Sequence, residues 1–256
     1  SQKNEPQPPK MQLSEQEKML LNSIASTLQP ATAHYTKLKL HPATGTKFKK
    51  HLIALQFITE ETILVRAGKG SSANVLFPTD SAFKYLGLKK PKGTKGGDSP
   101  QHQYLVRSLA NIIPESQLEF MIGAERKSVD LFLCLKPELH KDFIEAVKVS
   151  IIFYIANRDN EHLDIFYIET NYPSSNYVAI EIECSNPQRT GPVNIQKNAE
   201  AGIAFTILGL LPAEAKKFNP ELITGLPEAL QRKVIVVDAL KLLDYLRERY
   251  DRRGNP

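Results

Sequence analysis

The chain has no Trp, only two Cys, and no apolar run near the roughly 18 residues that a membrane-spanning helix needs. The two Cys and six scattered His offer no cluster with zinc-ligand spacing. Cys134 and Cys184 both lie in apolar runs, where buried free thiols are common, so no disulfide is implied. A reducing, cytoplasmic home is expected, with no membrane partner. The opening residues 1–10, rich in Gln, Lys and Pro, lack the apolar core of a signal peptide. No Gly-x-x-x-x-Gly-Lys-Ser/Thr is present. Ala67-Gly-Lys-Gly-Ser-Ser72 only approaches it, so nucleotide hydrolysis lacks a phosphate cradle. Gly-x-Ser-x-Gly is missing too, which leaves a hydrolase nucleophile elbow unsupported.

Acidic residues are scarce at the front. Up to residue 100 there are 15 Lys and Arg against 7 Asp and Glu, and beyond it 18 against 21. A basic front and a slightly acidic rear suggest a polyanion-binding module joined to something else. With 256 residues the chain can hold one large or two small domains.

Residues 1–12 should be a disordered tail. Ser14-Glu-Gln-Glu17 forms a capping box, and Leu20, Leu21, Ile24 and Leu28 continue a helix that Pro30 stops. Residues 31–38 fit a second helix, ended by His41-Pro42. Residues 44–57 fit a third, with Phe48, Leu52 and Leu55 as its apolar stripe and Lys47, Lys49 and Lys50 off it. A strand at 58–65, a Gly/Lys turn and a returning strand at 74–77 lead to a short helix ending at Gly87. Three helices followed by such a hairpin resemble a winged helix-turn-helix domain over residues 13–88. In such a domain the third helix enters the major groove of duplex DNA, and Arg66 and Lys69 on the wing meet phosphates. The plainer reading makes the Lys cluster a solvated helix face, and such domains also dock proteins. Residues 88–100 hold four Lys, three Gly and two Pro and read as a basic linker.

From 101 onward helices alternate with apolar strands. Helices are expected at 101–113, 138–148, 194–201, 226–231 and 239–250. Strands are expected at 118–122, 129–135, 149–156, 163–168, 178–184, 203–211 and 233–237, with a loop at 185–192. Continuous apolar strands between helices mean a mixed sheet covered on both faces, an α/β (α+β) domain over 101–250.

Within it, Val178-Ala-Ile-Glu-Ile-Glu-Cys-Ser185 places Glu181 and Glu183 on one side of a strand, with Ile180, Ile182 and Cys184 on the other. Asp130, in Ser128-Val-Asp-Leu-Phe-Leu-Cys134, opens a run that would pair beside it. Three neighbouring carboxylates repel one another unless a hard cation sits between them, which points to magnesium or manganese. The alternative is an edge strand with a solvated Glu face.

The order of elements, with Asp130 on one strand and Glu181 on a neighbour, resembles the PD-(D/E)xK, or restriction-endonuclease-like, superfamily. That resemblance implies Mg²⁺-dependent phosphodiester hydrolysis with Asp130, Glu181 and Glu183 on the metal. Glu183 stands where the motif usually has Lys, and the resemblance offers Lys197, in Asn194-Ile-Gln-Lys-Asn198, as the substitute catalytic cation. His102 on the preceding helix could face the same pocket, but a lone His there is more often a surface or capping residue. Two functions follow: a DNA endonuclease of a mobile element or defence system, or a nuclease-fold DNA-binding scaffold without catalysis, working with a partner ATPase. Cleavage of both strands would favour a homodimer. A third possibility is a protein-docking front joined to an unrelated α/β rear.

Overall fold

The structure is a computed structural model that describes residues 13–91, 99–112, 116–117, 129–134, 165–168, 177–203, 205–219 and 221–251. It divides into two compact units, Ser1–Glu61 with Asn74–Lys89, and Thr62–Ala73 with Lys90–Pro256. The expected tail at 1–12 lies outside the described residues. So do most of the linker, the strands at 118–122 and 149–156 and the helix at 138–148.

The first unit starts with α1 (Glu15–Ser26), capped reciprocally: Glu17 N–H donates to Ser14 Oγ while Ser14 N–H donates to Glu17. Next come α2 (Ala31–Lys37) and α3 (Pro42–Ala54). Pro42, expected to end a helix, instead begins one. At the first helical position its missing N–H costs nothing, and the preceding His41 caps Ala43 N–H through its ring. Leu20, Leu21, Ile24, Tyr35, Leu52 and Leu76 form the core of this unit, and Phe48 and Leu55 pack against it half-buried. His34 is fully buried, its Nδ1 2.9 Å from Ser23 Oγ. Burial holds its pKa down at about 4, so the ring is neutral near pH 7.

Strands β1 (Ile58–Leu64) and β2 (Ser72–Pro78) pair as a two-stranded sheet, and α4 (Asp80–Leu86) closes with Gly87 in the left-handed conformation at φ 66°. The hairpin tip, assigned by sequence to the front domain, falls in the second unit. The reason is a set of polar clamps. Gln101 on α5 (Pro100–Ile112) both donates to and accepts from the Leu64 backbone, at 2.9 and 2.8 Å. Tyr104 Oη and Arg247 donate to Val65 C=O, and Ala67 N–H donates to Asp244.

The rest of the second unit is a mixed six-stranded sheet with the order β3-β4-β6-β7-β8-β5 among the described residues. Its strands are β3 (Ser116–Gln117), β4 (Leu131–Cys134), β5 (Ile165–Ile168), β6 (Tyr177–Glu183), β7 (Phe205–Leu210) and β8 (Val234–Asp238). β6, β7 and β8 are parallel, whereas β4 runs antiparallel to β6 and β5 to β8. The expected α/β architecture is therefore present in its coarse form, with a parallel centre and antiparallel flanks. α6 (Pro187–Glu200) crosses from β6 to β7 and packs on both.

This helix corrects the sequence expectation of a loop at 185–192 and a short helix at 194–201. Pro187 sits at its first position and Pro192 inside it, so only one interior N–H is lost. Gly191, read as a loop residue, lets the helix lie close to β7: a Cβ there would come 3.0 Å from Leu208 Cδ2. Ile195 joins Leu208, Leu210, Val234 and Val236 in a buried cluster under this helix. Three short helices, α7 (Pro212–Ala215), α8 (Glu221–Thr224) and α9 (Glu228–Gln231), lead to β8, and α10 (Ala239–Asp251) ends the chain's described part. The expected α10 stripe, Leu240, Leu243 and Leu246, is buried, together with Leu242. Among the described residues no helix is long and apolar enough to cross a membrane.

Candidate active site

Pairing of β4 with β6 sets Leu131 opposite Ile180, so Asp130, one residue earlier, stands opposite Glu181 at the mouth of β4. Asp130 Oδ2 accepts the Ile182 N–H at 2.7 Å, which fixes its carboxylate to the β6 backbone. Glu181 is only 3% exposed and Glu183 8%. β6 is interior to the sheet, so the solvated edge-strand alternative does not hold.

Alternation along β6 sends both Glu side chains to one face, and α6 covers that face. Thr190, Asn194, Lys197 and Asn198 recur at helical spacing and form a polar stripe over the acidic strand. Thr190 Oγ1 and Asn194 Nδ2 each donate to Glu183 at 2.6 Å. Lys197 Nζ donates to Glu181 Oε1 at 2.9 Å, and Asn198 Nδ2 donates to the same oxygen at 3.0 Å. Asn198 is fully buried and also reaches Thr206 Oγ1 on β7 at 3.3 Å. The short exit from β6 through Asn186, in the left-handed region at φ 53°, starts α6 soon enough to lie along this strand.

Burial pushes the Glu181 carboxyl up to about 7; the Asp130 charge adds to the rise, while Lys197 and Asn198 oppose it. Burial also raises Glu183, against the hydrogen bond from Thr190, and Asp130 pushes in the same upward direction. Asp130 thus pushes both glutamates upward.

No family model and no curated protein matches this chain.

Of the sequence candidates, Asp130, Glu181 and Lys197 come together around β6. Glu183 lies beside them with both oxygens on α6 side chains. His102, set aside on sequence grounds, enters as well: its Nε2 is 3.1 Å from Asp130 Oδ2, and its side chain is 15% exposed. No spacing rule could have joined His102 to a residue so far along the chain. Asn194 and Asn198 were legible in principle, as polar positions at i, i+4 on a helix following an acidic strand. Gln196, next to Lys197, is exposed and donates to Glu200 instead.

A hard divalent cation fits part of this donor set. Among the described residues no group of three or more His, Cys, Asp or Glu is arranged to hold a metal. Asp130 and Glu181 remain as two neighbouring carboxylates, and Mg²⁺ is commonly held by one or two carboxylates plus waters and phosphate oxygens. Glu183 would have to leave Thr190 and Asn194 before it could join them.

The basic candidates lie elsewhere. Lys47 and Lys50 are exposed on α3, but Lys49 is bonded to Glu60 at 2.6 Å with its side chain 17% exposed. Arg66 and Lys69 are exposed on the hairpin tip.

Proposed function

We propose that the chain is a DNA-binding protein with a nuclease-like rear domain of the PD-(D/E)xK kind, preceded by a winged-helix module, that hydrolyses phosphodiester bonds with Mg²⁺ or Mn²⁺. The observation that carries this is that Asp130, just before β4, and Lys197 of α6 both reach β6 at Glu181, the first through the Ile182 N–H and the second through the Glu181 carboxylate. Asp130 and Glu181 are the residues that would hold the ion, which when bound neutralises phosphate charge and activates water. His102 and the Ile182 N–H keep Asp130 in place. Lys197 supplies an ammonium where negative charge develops on the phosphate. Lys47, Lys50, Arg66 and Lys69 are exposed and free to meet the backbone of duplex DNA. A homodimer would supply one site per strand.

The catalytically silent alternative, a scaffold that serves a partner ATPase, has its own support. Glu183 replaces the motif Lys and is tied to Thr190 and Asn194, and Lys197 is engaged by Glu181. Plasmid nicking in Mg²⁺ or Mn²⁺ separates the two. The nuclease should nick, and Glu181→Ala should reduce the rate by about a hundredfold or more. Equal nicking by wild type and variant, or none by either with DNA still bound, favours the scaffold.

A further inference from the structure

We infer that Lys197 is the pocket's resident cation, which a divalent ion must displace from Glu181 before Asp130 and Glu181 can hold that ion. This rests on the proposed reading of these two carboxylates as metal ligands.

The Lys197 and Glu181 side chains are 9% and 4% exposed, and Nζ lies 2.9 Å from Oε1. A buried carboxylate facing a second one requires a neighbouring positive charge, and the ammonium provides it. A divalent ion on the same oxygens would sit beside that ammonium in a poorly solvated place, where like charges repel strongly. The two cations therefore compete.

The surroundings allow the exchange with only side-chain motion. Lys197 Nζ already donates to Asn194 Oδ1 at 3.0 Å, one turn back along α6. Asn198, anchored to Thr206 Oγ1, keeps its own bond to Glu181 Oε1. Lys197 thus has a resting partner on leaving, and Glu181 keeps a donor that holds it in place. Metal affinity would then be set by this internal competitor, and metal entry would free the ammonium that the chemistry uses. A merely structural ion pair makes the opposite forecast, because removing Lys197 would then loosen the pocket and weaken any ion in it.

Titration calorimetry with Mn²⁺ on the full chain, without DNA, tests this. Lys197→Met should bind Mn²⁺ about tenfold tighter than wild type, Lys197→Arg about as wild type does, and Glu181→Gln at least about tenfold weaker. Equal or weaker binding by Lys197→Met, with wild type still binding, overturns the competition and leaves the nuclease reading intact. No binding by wild type or Lys197→Met overturns both. If Lys197→Met does not fold, the wild type decides the matter: Mg²⁺ should raise the rate of reductive methylation at Lys197 several-fold, and an unchanged rate overturns the inference.

Discussion

Glu181 is buried beside one like charge and held by one opposite charge, and burial wins, because its carboxyl rises to about 7. That fixes the sign of its contribution to stability. Its folded-state pKa lies above the ordinary value of 4.5, so the folded chain binds the extra proton. The stabilisation is complete below the unfolded value and is lost as pH rises through the folded one. Urea unfolding without metal should show the second unit losing stability from pH 5 to pH 8, by an amount on the order of 3 kcal/mol. Glu181→Gln, which cannot ionise, should flatten that dependence. A wild-type profile flat over this range would refute the assignment. Asn198 belongs at the same scale, since its amide serves the acid and the neighbouring strand at once.

Among the elements, α6 shows how packing overrides local preference. Two Pro and a Gly argue for a loop, yet the helix forms because Ile195 and its neighbours bury an apolar face while its polar stripe satisfies Glu181 and Glu183. α2 and α3 meet just as closely. The Cβ of an alanine at Gly45 would lie 2.6 Å from ring carbons of the buried Tyr35. Gly45→Ala should therefore destabilise the first unit by about 1–3 kcal/mol, read by thermal unfolding. Adding Tyr35→Leu should recover part of the loss, because the two side chains then no longer compete for one volume.

On the scale of the whole molecule, charge and site fall in different parts of the chain. The basic residues of α3 are not equivalent: Lys47 and Lys50 are exposed, whereas Lys49 is neutralised by Glu60. If the chain binds duplex DNA, the slope of log affinity against log salt should fall by about 1 for each of Lys47→Ala and Lys50→Ala. Lys49→Ala should change it less. Equal effects at all three positions would mean that the Glu60 pair opens on binding.

The amino-acid order by itself determined the features that depend on near neighbours. The Ser14–Glu17 cap, the apolar faces of α1, α3 and α10, the helix end at Gly87 and the shared face of Glu181 and Glu183 all follow from spacings of a few residues, where backbone geometry leaves little choice. Only the tertiary structure decided that β6 is interior, that α6 begins at Pro187 and covers the glutamates, that the hairpin tip belongs with α5 and α10, and that His102 reaches Asp130. Those outcomes turn on which surfaces exclude water together and which buried polar atoms find partners, and such partners come from segments that the sequence does not place side by side.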